Sequence, residues 1–171
     1  MYMKLYDENT TCCFTGMRPQ KLPWGFNERD KRCVKMKKEL KLYITEAINL
    51  GYDTFFTGMA LGFDMICAEM IIELKKKYPQ IRLIGALPCR NQSKNWSKSD
   101  KKRYDNIYYN LDAEYCKYDK YIGAECMLER NRFMVDNSRL VIALYSGGNG
   151  GTKYTMDYAK RNNKNVILLE P

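Results

Sequence analysis

Three glycine-bearing segments of this chain have residue types that suit the binding of a phosphate group. Each directly follows an apolar run that predicts a β-strand: residues 15–19 (TGMRP), 57–64 (TGMALGFD) and 146–152 (SGGNGGT). Glycine lets the backbone approach a ligand closely, and a helix that begins after such a loop presents free N–H groups and the positive end of its dipole. Plain tight turns also use glycine. Because parallel strands end at one edge of a sheet, we favour one shared phosphate or nucleotide site over three unrelated turns.

The spacing of these glycines differs from the two commonest nucleotide-binding loops. The chain has no GxxxxGK[ST] motif, which argues against P-loop hydrolysis of ATP, and no GxGxxG after the first strand, which argues against an ordinary dinucleotide oxidoreductase. It also has no histidine, which excludes Ser-His-Asp and Cys-His catalysis and every His-ligated metal site. We expect no metal, so any chemistry must use carboxylates, Lys, Arg, Tyr, Cys, hydroxyls or backbone groups.

Charged residues near these loops each allow two interpretations. Arg130 and Arg132 precede the strand predicted at residues 139–144, and one of them can hold a phosphate or carboxylate in the crevice. An Arg pair on a solvated helix face explains the same residues equally well. Asp64 is most simply the N-cap of its helix, with a catalytic role as the alternative. Glu69, one turn farther along, either faces the crevice or is exposed or ion-paired.

Residues 88–109 mix Arg and Lys with Trp96 and several Tyr. Such interleaving is typical of surfaces that bind single-stranded nucleic acid through stacking and phosphate contacts. A lid or surface helix with half-buried aromatic residues explains the same pattern, and we favour it because no RNA-binding motif accompanies the segment. The net charge of +9 is concentrated in residues 31–50, 90–103 and 153–164. We expect the last two segments to flank the crevice and attract an anion.

The elements that must position these loops alternate along the chain. Apolar runs predict strands over residues 11–15, 52–57, 81–87, 139–144 and 165–169, with a short one near 114–117. Amphipathic stretches predict helices over residues 31–50, 64–78, 97–110, 124–137 and 152–162. Unbroken apolar strands suit a parallel sheet that is covered on both faces. We therefore predict an α/β, Rossmann-like three-layer fold with a mostly parallel sheet and helices on both faces, formed by residues 1–171 as a single domain.

Cysteine usage and the N-terminal residues bear on the cellular compartment. The seven cysteines form no CxxC pair and mostly lie in apolar runs, which indicates small core residues in a reduced, cytoplasmic protein. The first residues, MYMKLYDENTT, contain no apolar signal segment, and no stretch of the sequence is long enough to span a membrane. We therefore expect no membrane partner.

With its loops placed, the sequence resembles the YpsA-type branch of the SLOG superfamily, which also includes DprA and the LOG proteins. The resemblance covers nearly the whole chain. The motifs that carry it are FTGMRP (14–19), FTGMALGFD (56–64), ALPCRNQSKNW (86–96), RNRFMVDNS (130–138) and YSGGNGGTKYTMDYA (145–159). It implies a Rossmann-like fold, a nucleotide-derived ligand such as NAD or ADP-ribose in the glycine-lined crevice, and a homo-oligomer.

Three departures from the family patterns bear on catalysis. Met17 stands where the YpsA-like pattern TGHRP has His, and Glu69 replaces the His of the DprA-like pattern. LOG enzymes hydrolyse nucleoside monophosphates to free base and ribose phosphate, and they resemble PGGxGTxxE with an Arg upstream. Arg130 falls at about that Arg, but Thr155 stands where the essential Glu would be. The departures favour a binding protein over an enzyme.

The leading hypothesis is a sensor or regulator that binds a nucleotide-derived small molecule, with a link to bacterial cell division or stress responses implied by the resemblance. One alternative is a LOG-like nucleoside-phosphate or N-glycosidic hydrolase, in which Glu69, Asp64 or Asp157 supplies the carboxylate. Another is a DprA-like protein that binds single-stranded DNA. In the leading hypothesis Arg130 neutralises phosphate and Trp96 stacks on a base. The expected ligand-binding residues are Thr15, Gly16, Arg18, Gly58, Gly62, Asp64, Trp96, Arg130, Gly147, Gly148, Gly150, Gly151 and Thr152.

Overall fold

The computed structural model describes residues 6–171, so the expectation for the N-terminal segment falls partly on residues 1–5, outside that range. The strands are β1 (Thr11–Gly16), β2 (Thr54–Thr57), β3 (Arg82–Leu87), β4 (Ala113–Cys116), β5 (Leu140–Leu144) and β6 (Asn165–Leu169). The helices are α1 (Lys31–Asn49), α2 (Phe63–Lys75), α3 (Lys98–Tyr108), α4 (Ala124–Asp136) and α5 (Gly151–Arg161). No helix in the described range is long and apolar enough to cross a membrane.

All six strands run parallel, in the order β4-β3-β2-β1-β5-β6. The chain first adds β2, β3 and β4 on one side of β1, and then returns to add β5 and β6 on the other side. Right-handed crossovers therefore put α1, α2 and α3 on one face of the sheet and α4 and α5 on the opposite face. The two hydrophobic cores match this division, because one contains residues of α1–α3 and the other residues of α4 and α5. The three-layer α/β prediction is confirmed.

The central strands are buried on both faces because successive side chains of a strand point to opposite sides of the sheet. In β1, Cys12 and Phe14 pack into the core under α1–α3, whereas Cys13 packs into the core under α4 and α5. Cys13 lies in register with Phe56 of β2 and Val141 of β5. Six of the seven cysteines are buried and all are free thiols, as their apolar surroundings in the sequence predict.

The predicted elements agree with the structure apart from their ends, and one end affects the site. Phe63 is the first residue of α2, Gly62 precedes it with a φ of 93°, and Asp64 lies inside the first turn. No side chain caps this helix. The prediction that Asp64 is the N-cap is therefore wrong, and its carboxylate is left for another role.

The strand order reverses between β1 and β5. The connection after β1 leads to one face of the sheet and the connection after β5 leads to the other, so the two loops diverge at the carboxyl edge and leave a crevice between them. Open α/β sheets bind their ligands at such a point. The first and third glycine-bearing segments are the two loops that border it.

Candidate functional site

A cavity of about 420 Å³ occupies the crevice between the loops after β1 and β5. Its remaining walls come from one side of α4, from the start of α5 and from two residues after β2. Ten of the thirteen expected ligand-binding residues line it: Thr15, Gly16, Arg18, Asp64, Arg130, Gly147, Gly148, Gly150, Gly151 and Thr152. The structure thus brings together residues from four separate parts of the sequence.

The loop after β5 adopts a backbone conformation that favours glycine. Gly147, Gly148 and Gly150 have φ angles of 113°, 86° and 153°, in the left-handed region where other side chains are strained. Gly150 is the N-cap of α5 and no side chain caps this helix. The first N–H groups of α5 and the positive end of its dipole are therefore available to an anion in the cavity.

Two side chains hold this loop by its carbonyl oxygens. The hydroxyl of Tyr145 donates to the carbonyl oxygen of Gly148 at 2.6 Å. The ammonium group of Lys21, from the loop after β1, donates to the carbonyl oxygen of Asn149 at 3.0 Å. Lys21 therefore ties the two borders of the crevice together. Because these carbonyl groups are engaged by the protein, the loop is positioned before any ligand arrives.

The loop after β1 supplies positive charge at the cavity. Arg18 and Lys21 both line it and both are exposed. Neither is paired with a carboxylate in the part of the chain that the structure describes, whereas Lys153 of α5, also at the cavity, pairs with Asp157. Two unpaired cations beside a helix N-terminus create a positive potential that attracts an anionic ligand.

Arg130 is buried at the cavity, with 5% of its surface exposed. Its Nε donates to Oδ1 of Asn131 at 2.8 Å, and its Nη1 donates to the carbonyl oxygens of Gly58 and of Ala86, the latter at 3.1 Å. The nearest partner of Nη2 is the sulfur of Met127 at 3.9 Å, which is a weak acceptor. Of the two interpretations of this arginine, the structure selects the crevice over the solvated helix face.

Asp64 is a buried carboxylate at the same cavity, 7% exposed. Its Oδ2 accepts a long hydrogen bond of 3.4 Å from the backbone N–H of Ala60. Burial raises the pKa of Asp64 above its ordinary value, although the positive charge of Arg130 opposes the change. Burial likewise lowers the pKa of Arg130. The two groups therefore compensate each other in a place where either charge alone would be costly.

Helix α4 gives the cavity an apolar wall. Met127 and Leu128 are half-buried and Met134 is buried, and all three line the cavity together with Phe14 of β1. A polar, positively charged border therefore faces an apolar surface. That combination is typical of sites for ligands that join an anionic group to a flat apolar part.

Three expected ligand-binding residues do not line the cavity. Gly58 and Gly62 pack against its supporting residues, and a Cβ atom at Gly62 would lie 2.7 Å from the carbonyl oxygen of Met17. Trp96 packs edge to face on Tyr104 of α3, with ring centroids 5.5 Å apart. Because α3 covers the side of the sheet away from β5, Trp96 is not placed to stack on a base in this crevice.

The other carboxylates proposed for catalysis are also elsewhere. Glu69 is held by Arg103, whose Nε and Nη2 donate to its two oxygens at 2.7 Å each. Asp157 is paired with a lysine of its own helix. Thr155, at the position of the LOG glutamate, is buried and outside the cavity lining. Asp64 is thus the candidate carboxylate that the fold brings to the cavity.

The positive segments are only partly where the sequence suggests. Lys153, at the start of residues 153–164, lines the cavity, but no residue of 90–103 does. This segment follows β3, two strands away from β1, and contacts the loop after β2 instead, where Gln92 donates to the carbonyl oxygens of Gly58 and Met59. Arg132, the second arginine of its pair, binds Glu125 and the hydroxyl of Tyr154 at the surface.

Several residues at the cavity were missed by the sequence reasoning. Lys21 and Tyr145 lie within two residues of the glycine-bearing segments, so closeness in the sequence could have found them. Met127, Leu128 and Asn131 come from α4, where their sequence pattern is that of an ordinary amphipathic helix. Only the packing of α4 beside the crevice identifies them.

Comparison with known proteins identifies the family of this chain. The family model YpsA, described as the YspA SLOG family, matches residues 12–169. The uncharacterized SPbeta prophage-derived protein YoqJ of Bacillus subtilis is 33% identical over 140 residues, which cover 75% of this chain and 82% of YoqJ. The UPF0398 protein YpsA of the same bacterium is 26% identical over 149 residues, which cover 86% of this chain and 82% of that protein.

Two solved structures of DNA processing protein A have the same fold. That of Helicobacter pylori, described for its unique single-stranded DNA binding mode, superposes with a TM-score of 0.61 at 20% identity and covers 92% of this chain. That of Streptococcus pneumoniae gives a TM-score of 0.62 at 15% identity and also covers 92%. This chain spans 64% and 49% of those two proteins. With its family model matched from Cys12 to Leu169, the chain belongs to the YspA SLOG family.

Proposed function

We propose that this protein binds a nucleotide-derived small molecule in the crevice between β1 and β5 and acts as a sensor or regulator. The observation that carries the proposal is the meeting of an uncapped helix N-terminus with two unpaired cations, Arg18 and Lys21, beside an apolar wall. The candidate ligands are NAD, ADP-ribose and nucleoside phosphates.

The phosphate is assigned to the loop after β5. The N–H groups that begin α5 at Gly151 and Thr152 suit the oxygens of a phosphate, and Arg18 and Lys21 add charge from the opposite loop. Hydrogen bonds that involve a charged group contribute roughly 1.5–3 kcal/mol each. The base or nicotinamide is assigned to the apolar surface of Met127 and Leu128. A cavity of about 420 Å³ is in the range of small-molecule sites.

Titration calorimetry with ADP-ribose, NAD and AMP tests this proposal. We expect at least one of them to bind, and we expect Gly148→Asp to abolish that binding because a carboxylate at the phosphate position repels the ligand. Gly51→Asp is the matched control, since Gly51 also has a positive φ, of 96°, and lies at the end of α1 with open space around it. Failure of all three ligands to bind, or equal loss in both variants, contradicts the proposal.

A regulatory role in bacterial cell division or stress responses extends this proposal and rests on the family resemblance. The Gly148→Asp variant tests whether this role requires ligand binding or only the presence of the protein. In the native bacterium we expect the Gly148→Asp allele to reproduce the division or stress phenotype of a deletion, and the Gly51→Asp allele to restore the wild-type state. Normal behaviour of the Gly148→Asp strain excludes a ligand-dependent role.

Hydrolysis of the N-glycosidic bond of a bound nucleotide is a second candidate function, favoured by the position of Asp64 at the cavity. In that reaction water adds to the anomeric carbon, the bond to the base breaks, and the base leaves with a proton. Burial raises the pKa of Asp64 above its ordinary value, which favours a carboxyl group that gives or takes a proton during the reaction. Release of base from AMP or NAD, lost in Asp64→Asn and retained in Asp157→Asn, supports it. A flat time course at high enzyme concentration excludes it.

Binding of single-stranded nucleic acid is a third candidate, suggested by the protein from Helicobacter pylori with the same fold. Exposed lysines near the start of α3 favour it: Lys94, Lys98 and Lys102 have no carboxylate partner in the described part of the chain. A gel shift with an oligonucleotide that weakens steeply as salt rises, and that is lost when all three lysines become Glu, supports this candidate. An unchanged shift in that variant excludes this surface.

A further inference from the structure

The loop after β5 contains the only Asn-Gly pair of the sequence, Asn149-Gly150. In such a pair the backbone nitrogen of the glycine can attack the side-chain amide carbon of the asparagine, because glycine has no Cβ atom to hinder the approach. Both residues are exposed, and both line the cavity. A chemically reactive amide therefore lies at the border of the crevice.

The two groups that must react are free of hydrogen bonds. Within residues 6–171, neither the side-chain amide of Asn149 nor the N–H of Gly150 has a hydrogen-bond partner. Gly150 precedes the first residue of α5, so its N–H takes no part in the hydrogen bonds of that helix. No contact of the protein has to break before the side chain rotates toward the nitrogen.

Asn137-Ser138, at the end of α4, provides a contrast within the same chain. Nδ2 of Asn137 donates to the carbonyl oxygen of Phe133 at 2.8 Å. The N–H of Ser138 donates to the carbonyl oxygen of Val135 at 3.1 Å, and Ser138 is buried. Both groups that would have to react are thus engaged, so we expect Asn137 to keep its amide.

Lys21 places a positive charge on the peptide bond that supplies the attacking nitrogen. Its ammonium group donates to the carbonyl oxygen of Asn149 at 3.0 Å, and a Cβ atom at Gly150 would lie 3.1 Å from its Nζ. This oxygen and the nitrogen of Gly150 belong to one conjugated amide, so the negative charge of a deprotonated nitrogen spreads onto the oxygen. A cation held at the oxygen stabilises that nucleophilic form, as a preorganised donor stabilises an oxyanion.

We propose that Asn149 is a site of spontaneous deamidation, at which the backbone nitrogen of Gly150 attacks the side-chain carbonyl carbon and Lys21 promotes the attack. The nitrogen first gives its proton to the solvent. A bond then forms between this nitrogen and Cγ of Asn149, the Cγ–Nδ2 bond breaks, and Nδ2 takes up a proton and leaves as ammonia. Water opens the resulting succinimide ring at either of its carbonyl carbons, which gives aspartate or isoaspartate at position 149.

Either product puts a negative charge beside the start of α5, where the proposed function places a phosphate group. The new carboxylate repels that phosphate and competes with it for Lys21. Isoaspartate also lengthens the backbone between Gly148 and Gly150 by a carbon atom, which displaces the N–H groups of the loop. Modification therefore lowers the affinity for the ligand as the protein ages. This consequence rests on the proposed function, whereas the modification itself does not.

Mass spectrometry tests the modification without any ligand. The wild-type protein is incubated near neutral pH, and the peptide that contains position 149 is followed for the mass gain that replaces NH2 by OH. We expect conversion at Asn149 and none at Asn137. We expect Lys21→Met to slow the conversion roughly fivefold or more, the equivalent of one lost hydrogen bond. Lys38→Met, on the exposed side of α1, is the control. An unconverted Asn149, or equal rates in the two lysine variants, overturns the proposal.

Calorimetry with ADP-ribose, NAD and AMP tests the consequence for binding. We expect Asn149→Asp to bind roughly tenfold or more weakly than Asn149→Gln, because only the first variant adds a negative charge at the phosphate position. Equal affinities overturn the link between the modification and the ligand. Conversion of Asn149 in a protein that binds none of the three ligands contradicts the proposed function alone. Ligand binding by a protein in which Asn149 stays unconverted overturns this inference alone.

Discussion

The ammonium group of Lys21 donates a hydrogen bond to the carbonyl oxygen of Asn149 at 3.0 Å, and so joins the loops that follow β1 and β5. This contact uses one of the three donors of the lysine. The other two, together with the charge, are available to a bound anion. Lys21 therefore both positions the glycine loop and adds positive potential to the cavity.

Replacement of Lys21 should weaken ligand binding more than it weakens the fold. We expect Lys21→Met to lower the affinity for the bound nucleotide by roughly tenfold or more, in line with the loss of a charged hydrogen bond. The thermal midpoint should change little because the side chain is exposed. Calorimetry and thermal unfolding measure the two effects, with Lys38→Met on α1 as the control. Equal affinity in both variants would show that Lys21 does not contact the ligand.

Addition of one methyl group at Gly58 should destabilise the protein. A Cβ atom there would lie 2.5 Å from Nη1 of Arg130 and 2.6 Å from Oδ2 of Asp64. We expect Gly58→Ala to lower the free energy of unfolding by about 1–3 kcal/mol, as overpacking does. Gly25→Ala is the control: Gly25 has a φ of 56° with open space around it, so only backbone strain is added. If urea unfolding shows that Gly58→Ala is more stable than Gly25→Ala, the close packing of Gly58 against Arg130 and Asp64 is contradicted.

Arg130 and Asp64 should be coupled in stability. Arg130→Met removes the buried cation that compensates Asp64, together with the hydrogen bonds that Nη1 donates to the carbonyl oxygens of Gly58 and Ala86. Removal of one of two buried, opposite charges leaves the other uncompensated. We expect the double variant with Asp64→Asn to be less destabilised than the sum of the two single variants. Additive effects in a double-mutant cycle of urea unfolding would contradict the coupling.

The ion-pair cluster around Glu28 should make stability depend on acidic pH. Partial burial raises the pKa of Glu28. Hydrogen bonds from Arg103 at 2.6 Å and Lys37 at 2.6 Å lower it by a larger amount, so the net pKa is below its ordinary value. The stabilisation from this carboxylate is thus fully present above about pH 4.5 and is lost as the pH falls through the lowered pKa.

Glu28→Gln checks that dependence. We expect this variant to be less stable than the wild type at neutral pH and to lose less stability on acidification, because its amide does not titrate. Urea unfolding followed between neutral pH and about pH 3 measures both. Glu73→Gln, at an exposed pair with Lys76, is the control and should have little effect on either. Parallel pH profiles for the wild type and Glu28→Gln would contradict the assignment.

The sequence by itself determined the class of fold and most of the crevice. An unbroken apolar strand, such as the one that contains Phe14, requires other elements to cover both faces of its sheet. A glycine directly after such a strand indicates a loop at the carboxyl edge of a parallel sheet. Both patterns lie within a few consecutive residues, so they can be recognised without knowledge of the tertiary structure. That is why the loops at Gly16 and Gly148 could be assigned to one site in advance.

Only the tertiary structure decided which charged residues belong to that site. Asp64 and Glu69 lie within two turns of one helix, yet the first faces the cavity and the second is bound by Arg103 of α3. Arg130 and Arg132 likewise differ in burial, although they are two residues apart. Helix geometry sets the face on which a side chain lies. What that face contacts depends on the elements packed against the helix, and these are distant in the sequence. The order of the strands decided which loops border the crevice. It places Trp96, which follows β3, away from the crevice, and it places β6 at an edge of the sheet.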